Sequence, residues 1–190
     1  MRTSFALGLI VTTLAAADAF AASPPNPHAE EAKGIIKQFA TTLQGELQAA
    51  MKAGGPVNAI NVCQERAPAI AKSLSQKTGW DVGRTSLRLR NPGLNSPDAW
   101  ESGALQALEE RKAAGADVKT LAIAEVVDTG EGKRFRMLKA IPTAEVCLAC
   151  HGKNISPEVV DALDKAYPED QARGFSAGDI RGAFSLSKPL

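Results

Sequence analysis

The chain has 190 residues, 44% hydrophobic and 23% charged, with a net charge of +1. Ample apolar content and small net charge exclude a disordered chain, and 22 basic residues against 21 acidic ones exclude binding to nucleic acid by charge. Three cysteines cannot staple a chain of this length, and with aromatics at 5% the core must be built from Ala, Leu, Ile and Val.

Residues 1–21 have the form of a signal peptide. Arg2 gives a positive start, Phe5 to Ala17 is an apolar run too short to span a bilayer as an ordinary helix, and Ala19-Phe20-Ala21 is an A-x-A cleavage signature. Cleavage after Ala21 is expected, the alternative being an uncleaved N-terminal anchor. No later apolar run approaches 18 residues, so the mature chain is expected to be exported (periplasmic in a Gram-negative cell), soluble and without a membrane span.

Residues 22–27 form a Pro-rich spacer, and a single domain is expected over 28–190. Ile35, Ile36, Phe39, Leu43, Leu47 and Met51 recur at helical spacing and predict one long amphipathic helix, stopped by Gly54-Gly55-Pro56. Asn58 is the expected N-cap of a second helix, whose apolar face carries Ile60, Cys63, Ala67, Ile70, Ala71 and Leu74. Pro68 should kink or split that helix, and Gly79 should end it. Trp80 to Arg90 alternates and predicts a strand with Arg84, Arg88 and Arg90 on one face. That face is expected to be solvated, although Arg84 could reach a carboxylate of a bound group. Asn91-Pro92-Gly93 is read as a turn. Ser96 is read as the N-cap of a third helix with Pro97 at its first position, running to about Ala114 before Gly115.

Leu121 to Val127 and Arg134 to Ile141 are strand-like and flank a hairpin loop at Asp128 to Gly132. Ser156-Pro157-Glu158 opens a short helix that ends before Pro168, and Ile180 to Ser187 is a last strand. Trp80, Trp100 and Tyr167 are expected to be ordinary core aromatics, and Asp179 and Arg181 a local salt bridge. Helices followed by strands mixed with helices and one hairpin predict an α+β fold with an antiparallel sheet.

Cys147-Leu148-Ala149-Cys150-His151 carries the chemistry. C-x-x-C-H is the attachment signature of c-type haem. Two thiols one turn apart can each add to a vinyl group of the porphyrin edge, and the adjacent His can reach the iron. Attachment outside the cytoplasm agrees with the export signature. A thioredoxin-like pair would leave His151 unexplained, and half a zinc site has no second Cys/His pair to complete it. One covalent haem c on Cys147 and Cys150, with His151 as proximal ligand, is therefore expected. The sixth position has four candidates, Cys63, Met51, Met137 and His28, or stays open. Ligand statistics favour Met, whereas Cys63 is the odd cysteine of an exported chain and faces an apolar helix side, as a ligand or as a small buried hydrophobe.

Short motifs recur in order along the chain: Asn61-Val62-Cys63, Ala67-Pro68-Ala69-Ile70-Ala71, Val82-Gly83-Arg84-Thr85-Ser86-Leu87, Arg90-Asn91-Pro92, Pro97-Asp98-Ala99-Trp100-Glu101, the C-x-x-C-H-G run and Gly178 to Ser185. This set resembles the exported c-type haem domains with a PAS-like fold and His/Cys axial ligation, which occur alone or as the sensing part of histidine kinases. The resemblance implies a PAS-like antiparallel sheet flanked by helices and two long N-terminal helices, with His151 and Cys63 as the axial pair. It also implies a redox- or gas-responsive module with low-potential iron, working through a redox or signalling partner. A plain electron carrier is the alternative. An enzyme such as a peroxidase is not expected, because His28 is the sole further imidazole.

Overall fold

The computed structural model describes residues 26–190. The expected signal peptide and residues 22–25 of the spacer lie outside the described residues. Asn26 caps the first helix, its side chain accepting from the His28 N–H, and Pro27 takes the first helical position. The domain therefore begins inside the expected spacer.

Helix α1, Pro27–Asn61, is interrupted where the sequence places its stop: Gly54 and Gly55 leave the helical region, and Gly55 has φ 70°. Glycine accommodates that left-handed step without a Cβ clash. The helix resumes at Pro56, so Asn58 is not an N-cap; its Nδ2 donates to the Ala50 carbonyl, across the break. A π-helical turn, Val62–Arg66, leads into α2, Ala67–Thr78. Pro68 sits in the first turn of α2, where its missing N–H costs least. The N–H of Ala67 reaches back five residues to the Val62 carbonyl, so the expected kink is resolved as a π-bulge. Gly79 closes α2 in the left-handed conformation.

The strand expected over 80–90 is shorter. β1 spans Asp81–Thr85 only, and the chain then bends away to a four-residue helix α3, Pro92–Asn95, where a simple turn is expected. Arg84, Arg88 and Arg90 therefore share no strand face. Helix α4, Ala99–Ala113, starts at a capping box of Asp98 and Glu101 rather than at Ser96. Strands β2, Ala122–Asp128, and β3, Lys133–Pro142, form the expected hairpin. The attachment motif follows on a short 3₁₀ turn, Glu145–Cys147, and the one-turn helix α5, Leu148–His151. Helix α6, Pro157–Ala166, and strand β4, Ile180–Pro189, complete the chain.

The architecture is α+β. Its four-stranded sheet has the order β1-β4-β3-β2, and every pair is antiparallel. Alternation along the central strands sends side chains to two cores. Phe135, Met137, Phe184 and Leu186 pack with Ile36, Phe39, Leu74 and Trp80 under α1 and α2. Leu138, Ala140 and Ala183 pack with Leu105, Leu108 and Leu121 under α4. A third cluster of Ile60, Val159, Leu163 and Tyr167 ties α6 to the far part of α1, beside Cys150. Among the described residues, no helix is long and apolar enough to cross a membrane.

Candidate functional site

Between α1–α2 and the sheet lies a cleft of about 460 Å³, a size typical of small-molecule and cofactor sites. One wall is helical: Leu43, Leu47 and Met51 of α1, then Cys63 in the π-turn, then Pro68 and Ala71 of α2. The opposite wall is Val82 to Ser86 with Arg181 and Gly182. Cys147, Cys150 and His151 close one end, backed by Leu163 of α6 and by Tyr167 just after it. The lining is mostly apolar, and Leu43, Leu47 and Met51 stay half-buried, their apolar side chains turned into the cleft rather than into a core.

The cleft gathers Cys147, Cys150, His151, Cys63 and Arg84, all singled out in the sequence. It separates the remaining ligand candidates. Met51 is in the cleft. Met137 is 2% exposed within the first core. His28 stacks near Trp80 and Phe135 beside that core and does not line the cleft.

His151 is oriented by the backbone. Its Nδ1 lies 2.7 Å from the Ala172 carbonyl. A carbonyl can only accept, so Nδ1 carries the proton and Nε2 keeps its lone pair. This is the arrangement by which ligating histidines fix their tautomer. The segment after α6 holds the motif from outside: Phe175 N–H donates to the His151 carbonyl and Gly174 N–H to the Gly152 carbonyl. Burial, together with the positive charges of Arg181 and Arg90, pushes the His151 pKa well below its ordinary value, so the imidazole is neutral at physiological pH. Burial also raises the Cys150 thiol.

Arg84 and Arg90 depart from the expected solvated face, whereas Arg88 stays exposed. Arg90 is buried and paired with Asp170, and Arg88 lies over the Phe175 ring at 4.2 Å. Arg84 is half-buried beside Phe39, and its guanidinium has no hydrogen-bond partner among the described residues. Burial lowers its pKa, and a Cys63 thiolate would act against that. Arg181 makes no pair with Asp179, which binds Lys112 instead. Its Nε stands 3.0 Å and 3.4 Å from the His151 ring nitrogens, and desolvation brings its pKa down to about 10. Tyr167 is a cleft residue as well as a core aromatic; burial, then the nearby Cys63, pushes its pKa up to about 12.

This donor set suits a haem. Two thiols and an imidazole nitrogen sit at one end of an apolar slot, and a third sulfur stands on its helical wall. Two desolvated guanidiniums supply positive charge that calls for an anionic partner. No group of three or more His, Cys, Asp or Glu side chains among the described residues is arranged to hold a bare metal ion. Sequence reasoning gave Asp170 and Ala172 no role and set Arg90 on a strand face and Arg181 beside Asp179, because their observed contacts join segments far apart in the chain.

The family model described as Tll0287-like: Tll0287 matches residues 17–189. A crystal structure described as that of the cyanobacterial heme-protein Tll0287 superposes with a TM-score of 0.65, at 24% identity, covering 87% of this chain and 98% of that one. At that identity the likeness is one of fold. Among curated proteins there is no match.

Proposed function

Since the chain belongs to the Tll0287-like family, one of whose named members is a heme-protein, we propose that it is an exported haem c protein. Its iron would be held between His151 and Cys63, and it would act as a redox- or gas-responsive module rather than as an enzyme. One observation carries this reading: the two motif cysteines, a histidine whose Nε2 keeps its lone pair, and the odd cysteine of the chain all line one apolar cleft.

When bound, a haem would supply a one-electron Fe(III)/Fe(II) couple. Cys147 and Cys150 anchor its edge as thioethers. His151 presents Nε2 while Ala172 holds Nδ1–H. Arg84 faces the cleft without a partner and is suited to a propionate, as is Arg181 once it turns from the imidazole. Cys63 would supply a thiolate from the helical wall. A thiolate favours Fe(III), so the potential is low. Reduction of the bound group would lower its charge, and Cys63 would then be the residue able to take a proton from solvent and release its hold, so that a small gas could be admitted. The π-turn gives Cys63 a locally adaptable backbone for that movement. The response would pass to a redox or signalling partner protein.

Cys63→Ser tests the reading. The ferric spectrum should change and the midpoint potential rise, while Met137→Leu leaves both in place. Met51 lines the cleft too, which favours a second reading, a His/Met electron carrier. Loss of the low-spin signal in Met51→Leu with a silent Cys63→Ser would establish the carrier and remove the sensor.

A further inference from the structure

Arg90 and Asp170 form a buried ion pair, 8% and 1% exposed, with Nε 3.1 Å from Oδ1. Burying such a pair brings little net stability by itself. Its contacts converge on the histidine. Arg90 Nη2 donates to the carbonyl of Ala172 at 3.2 Å, the same oxygen that receives His151 Nδ1–H at 2.7 Å. It also donates to the Cys150 carbonyl within the attachment motif. Asp170 is fully engaged: Oδ1 accepts from the Ala172 N–H at 2.8 Å and Oδ2 from Arg173 Nε at 2.7 Å. One residue, Ala172, therefore links the ion pair to the imidazole: its N–H binds Asp170, and its carbonyl is shared by Arg90 and His151.

We propose that Arg90, locked by Asp170, is a positioning residue that sets how strongly His151 donates to iron, through the carbonyl they share. This rests on the haem reading above. A carbonyl that already accepts from a guanidinium is a weaker acceptor for Nδ1–H. The imidazole then has less anionic character and stabilises Fe(III) less. The guanidinium charge acts the same way, since positive charge near the iron favours the reduced state. Arg90 therefore raises the potential and Asp170 opposes it. The electron taken up resides on the iron, and Nδ1 keeps its proton in both states.

The test is the one-electron midpoint potential of the haem-loaded protein and four variants. Arg90→Gln should shift it negative and Asp170→Asn positive, each on the order of tenfold in the Fe(III)/Fe(II) ratio, about 59 mV. The double variant restores charge balance and should return close to wild type, and Arg90→Lys, which keeps the charge, should stay near it. A merely structural role would move both single variants the same way and the double further still; that result, or unmoved potentials, overturns the proposal. Asp170→Asn is isosteric, so the sign of its shift decides the matter even if Arg90→Gln does not fold. A wild-type chain without covalent haem overturns the haem reading and this proposal together, whereas loaded haem with same-sign shifts overturns this proposal alone.

Discussion

Gly152 shows how the attachment motif depends on one missing atom. A Cβ there would lie 2.5 Å from the Leu148 carbonyl oxygen. The Gly152 N–H bonds that oxygen at 2.9 Å, while the Gly152 carbonyl receives the Gly174 N–H. Gly152→Ala should force the one-turn helix apart, costing roughly 1–3 kcal/mol and lowering the haem-to-protein ratio. Thermal unfolding and a haemochrome assay would read the two effects. Cys147→Ala with Cys150→Ala should abolish covalent haem altogether, seen as haem extracted by acid-acetone. At this scale the sequence was most legible. Cys147, Cys150 and His151 are adjacent, so a local pattern contains their chemistry, and the odd count of cysteines drew notice to Cys63. Arg90, Asp170 and Arg181 carry no local signature. Arg90 and Asp170 are 80 residues apart, and nothing near either one announces the other.

Among the elements, the π-turn at Val62–Arg66 has the most direct bearing on the site, because it carries Cys63. Pro68 removes one intrahelical donor, and the five-residue bond from Ala67 to Val62 takes up the misfit. Pro68→Ala should let the turn relax toward ordinary α geometry and move Cys63 along the wall. The expected outcome is a smaller ferric low-spin fraction at unchanged helical circular dichroism. The start of α4 is a second case. Asp98, which the sequence places inside the helix after Pro97, closes a capping box with Glu101 and pairs with Arg136 at 2.7 Å. Asp98→Ala should cost about 1–2 kcal/mol, measured by denaturant titration, and leave the haem spectrum unchanged. Ser96 looked like the cap because Ser-Pro is the commoner signal; the reciprocal Asp98–Glu101 bonds prevail because they satisfy two free backbone N–H groups at once.

For the molecule as a whole, the sheet is the common support. Its central strands bury both faces, so Leu138 is fully buried under α4 while its neighbour Met137 is buried under α1. Leu138→Ala should destabilise the fold by about 2–5 kcal/mol, which denaturant unfolding of the haem-free chain would measure. Acid sensitivity has a specific source. Burial pushes the Asp170 carboxyl up, but Arg173, the Ala172 N–H and Arg90 outweigh it and hold the pKa below 3.8. A pKa lower in the folded than in the unfolded chain means stability that is present above 3.8 and is lost as pH falls through the folded value. Asp170→Asn should flatten the stability profile in that acid window, as followed by circular dichroism between pH 5 and about 2.

The residues by themselves determined the α+β class, the hairpin, the last strand, the break at Gly54–Gly55 and the attachment motif, because each is written in local periodicity, turn chemistry or adjacent side chains. Tertiary structure decided the rest. It cut the expected strand at Thr85, since beyond that point Ser86 and Arg90 find partners in Arg181 and Asp170 instead of in a neighbouring strand. It placed Met137 in a core and His28 against aromatic rings, outside the cleft that Cys63 and Met51 line. It also turned Arg84 and Arg181 inward and gave His151 its tautomer through a carbonyl 21 residues away. Burial and long-range hydrogen bonds arise only when distant segments meet, and no window along the chain contains them.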